Sequence, residues 1–540
     1  MRTSFLLAGL SLWMSGCAAE PDALRDPPRL VVTEPARALV RGSTGPITVA
    51  GRVERNAEGD RISQVLVNGV AAQLAADGSF TAQVQLVPGA TLLHTVVRDA
   101  AGGEATDTRA VQAGALRGGG ELIDHGLQVA LSDDALDRLA SAAGALMQST
   151  DFAPLLAPRN PMVSEGADTG EDCLWGKVYV DDLNLGGARL ALAPGQGTLT
   201  FEAELTNLDV RARARYAALC VDGATSVRMT ASKLLVRGAL RVAPRASGQG
   251  FAVSLAAPQV TVTGFGLAAS GVPGDVLSLL RLDSAIGSIA GAAAEQIMEP
   301  LLNQALGSLA GPKQVTVAGK TVTFEVAADA VALDVTGARV GLDSRMILAG
   351  HDARYVATPD DPLVLAPASG FALAISDDAI NQLLASVAAS GMLELSMPAP
   401  GGTFETVKVQ ATLPPMISAD GSGKLRLVAG DLRMTLLSRE GVEVTHVALS
   451  LAADLAVAPA AAGVVLQVGK PEIHADVLDS TSGYADADKE QLIELVVTHQ
   501  LKVLSLLLGY IPLPTLGGVT ITEPRVSASA GYVRVTGGLR

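Results

Sequence analysis

Aromatic side chains are nearly missing from this chain: nine Phe, six Tyr and two Trp make up 3% of 540 residues, although hydrophobic residues together reach 49%. Any core it builds is therefore aliphatic, without many of the rings that bury ~150 to 250 Å² each. Clusters of basic residues are missing too. The formal net charge is −15 and the isoelectric point about 4.9, which argues against nucleic acid as a partner and against strong attraction to anionic membrane surfaces. Past the first seventeen residues no stretch reads as a membrane span, which needs ~18 to 20 uncharged and predominantly apolar residues. The most apolar stretch, Leu492 to Pro514, is interrupted by His499, Gln500 and Lys502. The mean hydropathy of +0.35 must then come from folded domains, as an extensive core, a lipid-sized groove, or both. A chain of this length holds about three domains.

Cysteine is scarce as well, with three residues. Cys17 closes the segment MRTSFLLAGLSLWMSGC, in which Arg2 precedes an apolar run from Phe5 to Met14 and small residues follow. That is the form of a secretory signal. Its end resembles a bacterial lipobox, which implies removal of the leader, fatty acylation (palmitate or a similar chain) of Cys17 and, with Ala18 after it, an outer-membrane lipoprotein anchored in the cell envelope. Two or three acyl chains hold a protein stably where one is marginal. Ordinary cleavage near Ala19 is the alternative. Cys173 and Cys220 remain as an even pair in an oxidising compartment. They are expected to form a disulfide closing roughly 48 residues, which the chain-entropy model values at ~4 kcal/mol; a free buried pair is the alternative.

Residues 18–28 (AAEPDALRDPP) read as a tether. From 29 to 113, short period-2 strands alternate with turn signals, among them Asn68-Gly69 and Asp77-Gly78, the pattern of a small β-sandwich. The order VLVNGVAAQLAADGSFTAQVQLVPGATLLHTVVRDAAG resembles bacterial immunoglobulin-like modules, which implies a spacer or a contact surface for a protein partner. A glycine run, Gly118 to Gly120, reads as a hinge after it.

The remainder is written twice. LQVALSDDALDRLASAAGALM (127–147) and FALAISDDAINQLLASVAASGML (371–393) share a strand, Ser-Asp-Asp and an amphipathic helix, with Ser132 and Ser376 offset by 244 residues. EQIMEPLLNQAL (295–306) and EQLIELVVTHQL (490–501) match at an offset of 195, so the first copy is longer by 49 between its helices. Such spacing indicates a duplicated domain and not a solenoid, whose period is roughly 20 to 50. Ser132 and Ser376 are expected N-caps, with the aspartates after them in the first turn where the macrodipole favours negative charge. Leu136, Leu139 and Ala143, and Ile380, Leu383, Leu384 and Val387, then recur at helical spacing. In TLTFEAELTNLDV, Phe201, Ala203 and Leu205 alternate with Thr200, Glu202 and Glu204, giving a strand with one apolar face.

Two such units, joined by 351–367, resemble the bactericidal/permeability-increasing and lipopolysaccharide-binding protein family of tubular lipid-binding (TULIP) proteins. The second copy, with its LLLGYIPLPTLGGVTITEPRVSASAGYVRVTGG ending, carries the resemblance best. It implies a mainly β fold with α (α+β): the immunoglobulin-like β-sandwich, then two elongated barrels (121–350 and 368–540) in a boomerang, each with two helices packed on a curved antiparallel sheet. It further implies an apolar groove for acyl chains in each, for which the candidates are Leu136, Leu139, Ile297, Leu301, Ile380, Leu383, Leu384, Val387, Leu492 and Val496. In place of that family's basic tip the chain has the mainly acidic RNPMVSEGADTGED (159–172).

No catalytic, metal or cofactor site is expected. Asp133-Asp134 and Asp377-Asp378 are explained by the helix starts. Glu472, His474 and Asp476 share a strand face that could hold a metal but reads better as solvated. Arg211, Arg213 and Arg215 could hold a phosphate but read as a polar face. GSGK (421–424) lacks the other residues of a P-loop, SGYADADKE (482–490) lacks the glycine and spacing of a calcium loop, and no hydrolase or metalloprotease motif is present. The expectation is a lipid-anchored envelope protein that binds phospholipid or another amphiphile, and is not an enzyme. The alternative is a structural or adhesive surface protein with fully packed barrels.

Overall fold

A computed structural model describes residues 26–166, 173–248, 250–269, 313–317, 320–358, 369–399, 404–419, 424–460, 463–480, 486–508, 511–512, 521–529 and 531–539. Cys17, Ile297 and Leu301 lie outside these residues, as does most of the expected 351–367 linker. The fold is mainly β, with an N-terminal β domain, two curled half-barrel sheets and few helices.

The N-terminal domain is a sandwich of a four-stranded and a five-stranded sheet. Alternating strands close over an aliphatic core of Val49, Val65, Val67, Leu93, Val97 and Val111, with Phe80 as the one large ring. Asn68 and Gly69 both take positive φ, 48° and 77°, the geometry a two-residue hairpin requires to match strand twist.

The two copies meet in a seven-stranded sheet. Its order is Lys313–Val317, Lys320–Asp334, Gly337–Leu348, Ile123–Ser132, Phe371–Ser376, Tyr532–Leu539 and Ile521–Ser529. Ile123–Ser132 and Phe371–Ser376 are the repeated strands, and they pair antiparallel with Val129 opposite Leu373, its own counterpart 244 residues on. Leu127 faces Ile375 and Leu131 faces Phe371; each pair is the image of the other, so a local two-fold axis passes through the Val129–Leu373 pair. The duplication read from the sequence is thus the register of the seam.

On either side of the seam lies a curled sheet built on a long hairpin. In the first copy the hairpin strands are Leu199–Ala218 and Val221–Pro244, and in the second Leu425–Leu437 and Glu443–Ala460. The alternation around Phe201 is as expected but changes phase at Asn207, whose φ is +51°. Beyond it Leu208, Val210, Ala212 and Ala214 are the buried set, and the partner strand changes phase between Ala231 and Leu234. The kink re-aims both strands together, so the apolar face stays inward along the whole curl. Cys173 and Cys220 form the expected disulfide at the hairpin's far end.

Four helices are described: α1 (Asp133–Ser149), the short α2 (Ala153–Leu156), α3 (Asp377–Ala389) and α4 (Asp486–Leu508). None among the described residues is long and apolar enough to cross a membrane. Ser376 caps α3 as expected, accepting the N–H of Asp378 at 3.0 Å. Ser132 does not cap α1. Its hydroxyl is turned toward the Gly370 carbonyl, 2.7 Å, and Asp134 Oδ1, 2.6 Å, because the second copy's strand begins against it.

The glycine run is not a hinge. Gly119 lies so close to the Ala353 backbone that a Cβ would fall 2.3 Å from its oxygen. Gln382 Nε2 donates to the Gly119 and Glu121 carbonyls at 3.0 and 2.8 Å. The segment is pinned between α3 and residues 353–357.

Candidate functional site

The inner faces of the two half-barrels are the candidate site, and six of the ten residues expected to floor grooves are buried among the core residues. Leu136, Ile380, Leu383, Leu384 and Val387 are buried in one continuous core shared by both copies, and Leu139 packs against it half-buried. Val496, on α4, lies in a second cluster with Val447, Leu449 and Leu451 of the second half-barrel. Leu492 is on α4; its side chain lies outside the described residues. α1 buries one face, Ala135, Leu136, Ala140, Gly144 and Met147. By contrast α3 is buried on every side from Asp377 to Val387, since it is wedged between the seam, the 355–357 strand and the second copy's 416–419 strand.

The inner faces stay open at their edges. In an antiparallel pair directly opposite residues share a face. Leu451, Leu449 and Val447 point into the second core, so their partners Ile473, Ala475 and Val477 point the same way. Ile473 and Val477 are nonetheless 42% and 47% exposed. The first half-barrel repeats this: Leu267, opposite the fully buried Met229, is 39% exposed. The strands concerned, Gly266–Ala269 and Glu472–Ser480, occupy corresponding places, each pairing beside the main path of its sheet with the second strand of the long hairpin. The apolar interior of each half therefore reaches solvent along one edge strand. Sequence reasoning missed these residues because their alternation in EIHADV is the same for a packed and for an open face.

Of the face expected to be solvated, Glu472 is exposed, whereas His474 and Asp476 are covered by the sandwich. Glu472 pairs with Arg426 at 2.7 Å, His474 packs tilted against His94 of the sandwich with ring centroids 4.7 Å apart, and Asp476 accepts Arg37 and the Thr108 N–H. Among the described residues no group of three or more His, Cys, Asp or Glu is placed to hold a metal. The Arg211, Arg213 and Arg215 row is exposed, with Arg213 forked on Asp181 at 2.7 to 2.9 Å.

The two Ser-Asp-Asp sequences diverge in their surroundings. Asp133 and Asp134 are exposed, whereas Asp377 and Asp378 are buried. Asp378 lines a cavity of about 810 Å³ where the sandwich, the seam and the 355–358 segment meet, with Arg117, Glu121, His125, Thr358 and Tyr532. Its Oδ1 accepts the Thr358 N–H at 2.8 Å and hydroxyl at 3.0 Å. Burial pushes its carboxyl up to about 6, against the pull of those hydrogen bonds; burial likewise pushes Asp476 up to about 6.

A carboxyl whose folded-state pKa lies above its unfolded value takes up a proton on folding, so stability rises as pH falls from about 6 toward 4. His94 and His474, whose pKa values burial lowers, act in the opposite direction below about 6.5. Asp378→Asn keeps an acceptor for Thr358 and removes the buried charge. It is expected to stabilise the chain at pH 7.5 by up to about 3 kcal/mol, a gain that shrinks to about 1 kcal/mol at pH 4.5. Urea unfolding of both proteins at the two pH values checks this.

The family model for glucodextranase, domain B, matches residues 28–114, the whole of the sandwich and nothing beyond it. No curated protein matches the chain. Among solved structures, that of a lipopolysaccharide binding protein is similar at 14% identity and a TM-score of 0.40, covering 77% of this chain and 99% of that one. The P47 protein of Clostridium botulinum E1 is similar at 10% identity and a TM-score of 0.27, covering 78% of this chain and all of that one. A tetra-tandem repeat from the extending region of a large adhesion protein follows at 12% identity and a TM-score of 0.14, covering 84% of this chain and 99% of that one.

Proposed function

We propose that the chain is a non-enzymatic, lipid-anchored protein of the bacterial outer membrane, held through Cys17, that binds and transfers phospholipid or a similar amphiphile in its two apolar half-barrels. One observation carries this reading: Leu267 in one half, and Ile473 and Val477 in the other, face the apolar interior and yet are open to solvent at corresponding edge strands. An aliphatic interior with a lateral mouth suits an acyl chain, which can enter sideways while its headgroup stays wet. Leaving a C16 chain in water costs about 13 kcal/mol at ~0.8 kcal/mol per CH₂. A groove lined by Leu, Val and Ala offsets nearly all of that, so exchange with a bilayer is close to thermoneutral.

The test is organic extraction and mass spectrometry of the chain made without residues 1–17, with displacement of a fluorescent fatty acid. Co-purified lipid and two displaceable probes per chain are expected. Protein that carries no lipid and takes up no probe would leave the structural or adhesive role as the better reading.

A further inference from the structure

The strand at the second mouth has two occupied faces. We propose that the N-terminal sandwich clamps this strand, Glu472–Ser480, and thereby sets how fast an amphiphile leaves the second groove; the inference rests on the lipid-binding reading above. Among the described residues the strand is paired in a backbone ladder with one neighbour alone, Glu443–Ala460. An edge strand with a single ladder opens readily unless something covers it. Here the covering element is the sandwich, 360 residues or more away in sequence. Asp476 Oδ2 accepts Arg37 Nη2 at 3.1 Å and the Thr108 N–H at 2.8 Å, and His474 packs tilted against His94. Ile473 and Val477, on the other face, stand at the mouth.

The grip is built into the backbone on both sides. The ladder between the two long strands of the second copy shifts register between Ala429 and Leu432, and Asp431 there takes a φ of +49°. This bulge aims its carboxylate at the sandwich, where it accepts Arg37 Nη1 at 3.0 Å and the N–H groups of Ala38 and Ala110 at 2.8 and 2.9 Å. Gly430 permits the approach: a Cβ there would fall 2.1 Å from that of Ala110. Asp107 completes the cluster, on Arg37 at 2.6 Å and Arg109 at 2.9 Å. Arg37 is thus one guanidinium shared by three carboxylates, two of which belong to the half-barrel. A spacer domain has no need of a buried ionic grip on the strand beside a groove, whereas a clamp does. Among the described residues the strand at the first mouth, Gly266–Ala269, has no such partner and pairs with Val221–Pro244 alone.

Arg37→Ala and Asp476→Ala, made separately in the full chain, test this. Hydrogen exchange without ligand should show the 472–480 amides exchanging at least tenfold faster in both variants while the 266–269 amides keep their wild-type rate. Release of a fluorescent fatty acid should speed up about tenfold in one of its two kinetic phases. Unchanged protection at 472–480 overturns the clamp, as does lost protection with both release phases unchanged. If Arg37→Ala fails to fold, Asp476→Ala decides, because it leaves Arg37 on Asp107 and Asp431. If the wild-type chain binds no probe, the lipid-binding reading fails and the exchange data alone judge the mechanical clamp.

Discussion

Ile473→Asp combined with Val477→Asp is expected to remove about half of the chain's amphiphile-binding capacity while leaving the chain folded. Both side chains are close to half exposed and lie on an edge strand, so substituting both costs folding about 1 to 3 kcal/mol. Their inward direction is what matters. An entering acyl chain would have to desolvate two carboxylates at the mouth, and an unpaired charge drawn into an apolar setting costs several kcal/mol. A loss of about 3 kcal/mol is already a hundredfold in affinity. The first groove opens at Leu267 in the other half and should bind as before, so a fluorescent fatty acid titration should fall from two sites to one. Two sites of wild-type affinity in the double variant would show that no chain passes Ile473 and Val477.

Leu384→Ala is the change expected to cost most in stability, about 2 to 5 kcal/mol, because it opens a cavity in a site that cannot collapse. Leu384 is fully buried on α3, itself enclosed by the seam and two further strands. Its counterpart 244 residues earlier is Ala140, also fully buried. There the smaller residue suits α1, which lies close on the Gly187–Pro194 strand with Gly144 against the Ala188 backbone. The reverse change, Ala140→Leu, is expected to cost about 1 to 3 kcal/mol by overpacking. Urea denaturation of each variant measures both. A loss below 1 kcal/mol for Leu384→Ala would mean that the α3 surroundings are not packed as described.

The comparison of these two helices also shows what could be read from the chain and what could not. The repeat was legible because duplicated helix starts leave an unmistakable Ser-Asp-Asp, and the offset it gave fixes the seam register. The half-barrel strands were legible because their alternation is long. The phase change at Asn207 was not: one residue at positive φ reverses the inward set, and Asn carries only a weak local signal for it. Equal sequence also hid unequal surroundings. Asp134 and Asp378 follow the same serine, yet Asp134 is exposed while the 355–358 segment buries Asp378. Ser132 lost its capping role to the Gly370 turn of the other copy. Glu472, His474 and Asp476 read as a solvated face because the groups that meet the last two, His94, Arg37 and Thr108, come from another domain. Burial by a distant segment leaves no trace in local periodicity, and that is why the buried helix faces were legible while the exposed edge residues and the sandwich contacts were not.

The central claim, that acyl chains lie inside both half-barrels and enter at the two edge strands, is tested most directly by quenching. Bimane attached at Leu267→Cys or Ile473→Cys, with Glu472→Cys on the opposite face of the same strand as control, is titrated with a fatty acid brominated along its chain. Strong quenching at 267 and 473 with little at 472 is the expected result. Equal quenching at 472 and 473, or none at either 267 or 473, would contradict it.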